Sequence, residues 1–438
     1  MKRMPSKKSA RTAKPVSRPA AQPSPVALQA TAKSVQSTKT AKAVPVATSR
    51  PVSRKKSSPV APVARSGSTD RFVIIMAGGR GERFWPVSRE KTPKQLIRLL
   101  GGRSFLQQAV DRVRPLVTLA NILIITNAVQ AAEVRRQLPE LPKENVIGEP
   151  VGRDTCAAVA LGAAVVGARS TTAVMAVLPA DHVIHDEKGF RQVLSDALDV
   201  AARGQVIVTI GIQPTGPETG YGYIHSGNAL PAPAVGKALK TPFFKVERFV
   251  EKPSLEKAQE YLASGHYRWN AGMFVWSFVT LANALSVHQP EMHQACQRWF
   301  AAAAKGPKRL ETILAQEYPE IRKISVDFAL MEKVQNVVVA DGRFDWDDLG
   351  AWPALARHLQ QDAEGNAAVG DLVHVDSARN IVFDGRTRGR TPVTLVGVKD
   401  SILVLTDDAT LVASKSESQK IKDLVRKLAA DPRWAELV

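Results

Sequence analysis

The stretch IIMAGGRGERFWPVSREKTPKQ, residues 74–95, places three glycines within four positions directly after an apolar run. Glycine lets the backbone adopt turns that other residues avoid, and it lets the backbone approach a ligand closely. Backbone N–H groups freed in such a turn can point at anionic oxygens. Cationic side chains accompany the glycines, and they are Arg80, Arg83, Arg89, Lys91 and Lys94. The stretch therefore predicts a loop that binds a phosphate compound.

Two familiar glycine loops do not fit this stretch. A P-loop requires GxxxxGK followed by Ser or Thr, and residues 74–95 do not contain that pattern. A dinucleotide-binding loop requires GxGxxG at the start of a helix. Here Gly79 and Gly81 are followed by Phe84 where the third glycine would stand. The phosphate compound must therefore be bound by a different kind of loop.

Apolar strands alternate with helical patterns through residues 71–212. The predicted strands are 71–76, 121–126, 144–150, 172–182 and 205–212, and the predicted helices are 105–116, 129–138, 155–170 and 190–204. Continuous apolar strands between helices are typical of a parallel sheet covered on both faces. Ligands of such α/β sheets bind beyond the carboxyl ends of the strands. The loops after Met76, Ile147 and Leu178 are therefore expected to surround one site.

The charge of the chain is concentrated at its start. The formal net charge is +19, but residues 1–70 hold 15 of the 60 basic residues and one of the 41 acidic ones. This segment is rich in Ala, Pro, Ser and Lys and lacks a helix or strand period, which predicts a disordered tail. A solvated leader, an arm that contacts nucleic acid or another polyanion, and a targeting peptide all fit this composition.

Cysteine content and hydropathy indicate the compartment. Cys156 and Cys296 are far apart, show no metal-binding spacing and do not suggest a disulfide framework. The chain has no apolar run of about 18 residues, so no membrane span is predicted. Its N-terminus lacks the apolar segment of a secretory signal. These features predict a cytoplasmic protein.

Acidic side chains follow two distant segments. Asp181 closes the strand AVLPADH, and Asp345, Asp347 and Asp348 cluster in FDWDDLG. Magnesium prefers carboxylate oxygens together with substrate phosphates, so one acid from each segment would suit Mg²⁺. A cluster such as DWDD is also common at helix caps. His182 follows Asp181 and is expected to be a structural neighbour, not a general base.

Three later motifs carry the groups that a sugar pocket needs. They are GYGYIH (220–225), VEKPS (250–254) and RWNAGMFVW (268–276). Acids and amides can hydrogen-bond to hydroxyl groups, and aromatic rings offer a flat apolar face. The residues from Trp269 to Gly272 are predicted to form a tight turn. Taken singly, each motif also suits a structural role.

Together these segments resemble the nucleotidyltransferases that activate sugar phosphates, over residues 71 to about 430. Residues 76–95 match the family signature [LIM]xAGGxGxRxWPxSRxxxPKQ nearly throughout. GEPVGRDTCAAVAL (148–161), LPADH, GYGYI, VEKP, WNAGMF and WDDLG follow in the family's order. The resemblance implies a Rossmann-like domain with a mixed, mainly parallel sheet at residues 71–358. It also implies a C-terminal module (residues 359–438) that consists of a short left-handed β-helix and a terminal helix.

The family branch that this chain resembles joins GTP and mannose 1-phosphate. The implied reaction is Mg²⁺-assisted in-line attack of the sugar phosphate on the α-phosphate of GTP, which forms GDP-mannose and pyrophosphate. Another pair, such as glucose 1-phosphate with UTP or dTTP, is the alternative within the family. A degenerate catalytic domain with a tail that binds nucleic acid is the alternative from another class.

The resemblance also implies residue roles. Catalytic roles fall to Arg83 and Lys94. The nucleotide would be bound by Ala77, Gly78, Gly79, Gly81, Glu149, Arg153 and Thr155. The sugar phosphate would be bound by Gly222, Glu251, Lys252 and Asn270, and the metal by Asp181 and Asp348. Asp154 stands where the family usually has Asn, and Cys156 where it usually has Ala. The C-terminal module implies a homo-oligomer.

Overall fold

The structure is a computed structural model that describes residues 70–231, 238–388 and 391–438. The tail predicted for residues 1–70 lies outside the described residues except for Asp70. Its predicted disorder and its contact with a polyanion therefore stay predictions.

A mixed sheet of nine strands forms the centre of the described residues, in the order β3-β2-β1-β4-β8-β5-β9-β7-β6. The strands are β1 (Arg71–Ala77), β2 (Ile122–Asn127), β3 (Val146–Glu149), β4 (Val174–Pro179), β5 (Ile207–Ile212), β6 (Tyr223–Ala229), β7 (Phe243–Val250), β8 (Tyr267–Ser277) and β9 (Val337–Gly342). The first four strands are parallel to one another, and β8 is antiparallel to both β4 and β5. This arrangement confirms the predicted mixed α/β sheet.

Helices cover both faces of the sheet. They are α1 (Phe105–Val113), α2 (Ala131–Gln137), α3 (Asp154–Arg169), α4 (Glu187–Arg203), α5 (Leu255–Ser264), α6 (Phe278–His288), α7 (Pro290–Ala303), α8 (Pro307–Glu317), α9 (Trp352–Leu355) and α10 (Ile421–Ala430). One apolar core includes residues of α1, α2 and α4, and another includes residues of α3, α6, α7 and α8. Within the described ranges, no helix combines the length and apolarity that a membrane crossing requires.

Helix α3 is buried along almost its whole length, from Cys156 to Gly167. Its small residues and its lack of a polar face are typical of a buried helix. Small side chains let neighbouring elements approach closely: a Cβ on Gly167 would lie 2.4 Å from the Phe278 ring. The composition of α3 therefore matches the space between the sheet and α6 and α7.

The tight turn predicted from Trp269 to Gly272 is wrong, because these residues belong to the long strand β8. Gly272 has a φ of +62°, so a left-handed residue interrupts the strand without ending it. Trp269 and Asn270 pair with Ile212 and Gly211 of β5, and Trp269 also pairs with Tyr223 of β6. These hydrogen bonds between distant segments outweigh the local preference of glycine for a turn.

The C-terminal module is built from short stacked strands. They are β10 (Ala367–Val369), β11 (Leu372–Val375), β12 (Ile381–Asp384), β13 (Val393–Val396), β14 (Ser401–Leu405) and β15 (Thr410–Ser414). Strands β10, β12 and β14 stack in parallel, as do β11 and β13. Buried Asn366 accepts a hydrogen bond of 2.9 Å from the side chain of Asn380 one coil later. This repeat confirms a β-helix-like module.

An apolar core joins the module to the region of the glycine loop (residues 78–81). The Trp352 ring lies 5.1 Å from Phe84 and 5.4 Å from Phe383, measured between ring centroids. Its Nε1–H donates to the carbonyl oxygen of Trp85 at 3.3 Å. Phe84 and Trp85 follow the loop glycines, whereas Phe383 lies in the module. Packing therefore couples the shape of the loop to the module. The predicted boundary at residue 358 stays a prediction.

We expect Trp352→Ala to lower the free energy of unfolding by about 3–5 kcal/mol, because it leaves a cavity in this core. Urea denaturation would measure the loss. Trp434→Ala is a suitable control because Trp434 is 45% exposed. Equal stability of the two variants would contradict the coupling role of Trp352.

Candidate functional site

The carboxyl ends of several strands meet at one edge of the sheet. The glycine loop follows β1, Glu149 ends β3, Asp181 follows β4 and Asp348 follows β9. Strand β9 is parallel to β5, and both β5 and β4 are antiparallel to β8, so β9 runs in the same direction as β4. The topology therefore brings these four segments to the edge at which α/β sheets bind ligands.

Side-chain donors hold the glycine loop in place through hydrogen bonds to its carbonyl oxygens. The side-chain amide of Gln95 donates to the carbonyls of Ala77 at 2.6 Å and Gly79 at 3.0 Å. Ser88 Oγ donates to the carbonyl of Gly81 at 2.7 Å. The N–H groups of residues 79–81 have no acceptor among the described residues. The loop therefore presents free donors, as an anion site requires.

Lys94 lies at the base of this loop. A Cβ on Gly81 would lie 2.5 Å from the Lys94 Cβ, and Gly81 has a φ of +62°, so this position requires glycine. Lys94 is 5% exposed, and its Nζ lies 2.9 Å from Asp181 Oδ2. The same ammonium donates to the backbone carbonyl of Asp348. Lys94 thus ties the loop to the ends of β4 and β9.

The pKa values of Asp181 and Asp348 are shifted in opposite directions. Burial raises the pKa of Asp181, but the Lys94 ammonium and its hydrogen bond outweigh burial and hold that pKa below its ordinary value. The pKa of Asp348 is raised by burial and by the charges of Asp347 and Asp181, which Lys94 offsets only in part. Both carboxylates line one cleft, and the negative charge of Asp348 is only partly neutralised by Lys94. Such a pair of oxygen donors suits a hard cation.

The structure separates the three aspartates of FDWDDLG by their partners. Asp345 accepts hydrogen bonds from backbone N–H groups, including that of Asp186 at 2.6 Å. Asp347 is 4% exposed and accepts the N–H of Leu349 at 2.7 Å. Both carboxylates therefore stabilise the backbone. Asp348 is the member of the cluster that lines the cleft beside the loop.

This cleft has a volume of about 480 Å³. Its basic lining residues are Arg80, Arg83, Lys94 and Lys422. The Nε of Arg83 is buried and has no hydrogen-bond partner among the described residues. Lys422 comes from α10 and was not predicted, because it is one of several lysines in an ordinary amphipathic helix. Concentrated positive charge in a concave site favours a polyanionic ligand.

His182 lines the same cleft but is poorly suited to be a base. Burial lowers its pKa to about 4. Its Nδ1 accepts the indole N–H of Trp346 at 3.0 Å. These contacts favour the expected structural role.

Glu149 lies on the other side of the loop. It is 5% exposed, and a Cβ on Gly78 would lie 3.1 Å from its carboxyl oxygen. Burial raises its pKa to about 7, although a hydrogen bond from the Tyr318 hydroxyl opposes this rise. Tyr318 was not predicted because QEYPE carries no local signal. Glu149 is therefore a buried carboxyl in contact with the loop.

Residues 153–156 begin helix α3. The Nε of Arg153 is buried and has no hydrogen-bond partner within the described part of the chain. The hydroxyl of Thr155 accepts the N–H of Val326 at 2.8 Å, so its side chain supports the neighbouring segment. Cys156 is fully buried, and burial raises its thiol pKa to about 12. The nucleotide-binding roles of Arg153 and Thr155 stay predictions.

The predicted sugar residues form a separate group. A Cβ on Gly222 would lie 2.8 Å from Glu251 Oε2 and 3.5 Å from the Asn270 Cβ. The N–H of Asn270 donates to the Gly222 carbonyl at 2.8 Å. Lys252 is exposed, and its ammonium lies 2.6 Å from Glu251 Oε1. The structure therefore brings together all four residues that the sequence placed at the sugar.

Asp327 belongs with this group and was not predicted. It accepts a hydrogen bond of 2.9 Å from the Asn270 amide and begins a π-helical turn, Asp327–Met331. Burial raises its pKa, and the charges of Glu251 and Asp154 add to the rise. Single π-helical turns are frequent at functional sites. The sequence VDFALM shows no local sign of such a turn.

Two family models match this chain. One is described as nucleotidyl transferase and matches residues 72–365. The other is described as a MannoseP isomerase/GMP-like beta-helix domain and matches residues 370–428. They cover the mixed sheet and the stacked strands in turn.

Curated relatives match most of the chain. A mannose-1-phosphate guanylyltransferase of Klebsiella pneumoniae is 39% identical over 363 residues, covering 82% of this chain and 74% of the relative. One of Salmonella montevideo is 40% identical over 364 residues, with the same coverage. A xanthan biosynthesis protein, XanB, of Xanthomonas campestris is 36% identical over 370 residues, covering 83% of this chain and 74% of the relative.

A solved structure is also similar. It is described as a mannose-1-phosphate geranyltransferase from Thermus thermophilus, with a TM-score of 0.71 and 36% sequence identity. The match covers 82% of this chain and 99% of that chain.

We expect Glu149 to make stability depend on pH. Its pKa is about 7 in the folded chain against an ordinary 4.5, so the folded state binds this proton more tightly than the unfolded state. The chain therefore loses stability as the pH rises from about 4.5 through about 7. Glu149→Gln should not show this loss. Between pH 4.5 and 8, its free energy of unfolding should rise relative to that of the natural chain by up to about 3 kcal/mol.

Urea denaturation at several pH values would measure this gain. Glu140→Gln, at an exposed position, is the matched control. If the Glu149 variant and the natural chain lose stability in parallel, the shifted pKa is wrong.

Proposed function

Because this chain belongs to the nucleotidyl transferase family, we propose that it transfers GMP from GTP to mannose 1-phosphate, which yields GDP-mannose and pyrophosphate. The observation that carries the proposal is the position of Lys94. Its ammonium joins Asp181 and the backbone of Asp348 below a loop with free N–H groups. Cations, acids and loop donors thus converge on a cleft suited to phosphates.

The chemistry requires no general base. An anionic phosphate oxygen of mannose 1-phosphate attacks the α-phosphorus of GTP in line. The new P–O bond forms as the bond from the α-phosphorus to the bridging oxygen of the β-phosphate breaks. Pyrophosphate leaves with the electron pair of that bond. This accords with a buried His182 whose low pKa keeps it neutral.

The obstacle to reaction is the repulsion between two polyanions and the charge that develops on the leaving group. Preorganised donors in a cleft reduce this barrier by positioning and by electrostatic stabilisation. The N–H groups of residues 79–81 would bind phosphate oxygens. Arg83 has a buried Nε without an acceptor among the described residues, which is costly unless a ligand satisfies it. We assign Arg83 and Lys94 to charge stabilisation.

Nucleotidyltransferases of this family generally use a divalent metal. The residues fit such an ion, because Asp181 and Asp348 offer hard oxygen donors in one cleft and Asp348 lacks full neutralisation. We propose that these two residues hold Mg²⁺. When bound, Mg²⁺ would neutralise phosphate charge.

The groups on either side of the cleft would bind the two ends of the product. Glu149 can accept hydrogen bonds from the N1–H and N2–H₂ donors of guanine, and Arg153 has a free Nε nearby in sequence. Glu251 and Asn270 would contact the sugar hydroxyls, and the exposed Lys252 would contact the sugar phosphate. Gly222 leaves room at this point because it has no side chain.

We also propose an assembly and a location for this chain. Val373, Val375 and Val396 expose an apolar face on strands β11 and β13. Such a face supports the predicted homo-oligomer through the C-terminal module. A cytoplasmic location accords with the two free, buried cysteines.

The complete set of cations and acids in the cleft argues against a degenerate catalytic domain.

Pyrophosphate release should be measured with each of the four common NTPs and a panel of sugar 1-phosphates. GTP with mannose 1-phosphate should give the highest kcat/KM, because a pocket built on hydrogen bonds discriminates strongly against mismatched donors. A clear preference for glucose 1-phosphate with UTP or dTTP would replace the proposed pair within the same family.

Lys94→Ala should lower kcat/KM by roughly 10²–10³, because it removes a preorganised charge next to the reacting phosphates. The steady-state pyrophosphate assay would measure this loss. Lys91→Ala is the control, since Lys91 is an exposed cation of the same stretch. Lys94→Met keeps the side-chain volume and separates lost charge from lost packing. Near-normal turnover in both Lys94 variants would exclude the proposed role.

A further inference from the structure

We propose that helix α10 completes the phosphate cleft, where Lys422 binds the β- and γ-phosphates of GTP and the pyrophosphate that leaves. This inference rests on the proposed function and adds a residue to the site from the opposite end of the chain. Lys422 lines the same cleft as Arg83 and Lys94.

The part of GTP that reaches Lys422 follows from the layout of the site. Residues 80–84 of the loop line the cleft, together with Asp181 and Asp348. Glu149 and the sugar group around Asn270 do not line it. The cleft therefore accommodates the polyphosphate and not the base or the sugar. Within the polyphosphate, the β- and γ-phosphates lie farther from the base.

Packing holds the helix that carries Lys422. Ile421 is 3% exposed and Val425 is 9% exposed, and both lie in the core that contains Phe84 and Trp85. Trp85 Nε1–H also donates to the Leu437 carbonyl at 2.8 Å. The residues that flank the glycine loop thus fix the position of α10. Lys422 is half-buried at a defined place relative to the loop.

A second anchor acts through Arg89. Its guanidinium donates to the carbonyl of Leu437 and pairs with Asp408 at 2.8 Å. Arg89 belongs to the same signature stretch as Lys94. The signature therefore includes residues that hold the C-terminal module in place as well as residues that face the cleft.

Charge pairing distinguishes Lys422 from Lys420 and Arg426. Lys420 pairs with Glu417, and Arg426 pairs with Asp423 at 3.0 Å. Lys422 has no hydrogen bond or ion pair with any residue that the structure describes. Pyrophosphate carries several negative charges, and an unneutralised ammonium on the wall of the cleft would contact it directly.

The test compares Lys422→Ala with Lys427→Ala in the full chain. Lys427 is an exposed lysine of the same helix and does not line the cleft. Lys422→Ala should raise the KM for GTP, and the KM for pyrophosphate in the reverse reaction, by roughly tenfold or more. The KM for mannose 1-phosphate should not change, and Lys427→Ala should match the natural chain. Lys422→Arg should retain part of the affinity for GTP and pyrophosphate because it keeps the positive charge.

The outcomes separate this inference from the proposed function. Unchanged KM values for GTP and pyrophosphate in Lys422→Ala would overturn the role of Lys422, while turnover by the natural chain would still support the function. If the natural chain does not use this substrate pair, calorimetric binding of inorganic pyrophosphate supplies the test. Weaker binding by Lys422→Ala alone supports the inference. Equal binding by both variants, or no binding by the natural chain, overturns it.

Discussion

The buried ammonium of Lys94 is the constraint on which the site depends. An ammonium that is 5% exposed is costly unless nearby groups pair with it. Its partners are the carboxylate of Asp181 and the backbone carbonyl of Asp348, which follow two different strands. Gly81 packs against the same side chain and cannot carry a Cβ. The loop and the ends of β4 and β9 must therefore meet at one point, and we propose that the phosphates react at that point.

Much of this arrangement could be predicted because it depends on short-range patterns. Continuous apolar runs identify β1 and β4, and the parallel topology then places the residues that follow them at one edge. Strand β8 could not be predicted in the same way. Gly272 favours a turn locally, whereas the pairing of Trp269 and Asn270 with β5 and β6 depends on segments far away in the sequence. The outcome for this segment was decided by hydrogen bonds that only the folded sheet provides.

The site shows the same division. Asp181 and Asp348 follow strands, so their meeting could be anticipated from topology. Tyr318 and Asp327 lie in turns whose positions depend on how helices α6 to α8 pack. Lys422 depends on the docking of the C-terminal module. Such residues carry ordinary local sequence, and tertiary packing alone brings them to the site. Thr155 has a contact that the sequence did not predict, because its hydroxyl accepts the N–H of Val326 from a distant segment.

The core shared by Phe84, Trp352 and Phe383 has a consequence for the order of events during synthesis. The ribosome makes the glycine loop early, but the residues that pack behind Trp85 come from the last part of the described chain. The sheet strands β1 to β4 can pair long before then. We therefore expect a nascent chain to contain its glycine loop without the final shape of that loop. The chain would bind nucleotide fully only after α10 has been synthesised and has packed against the loop.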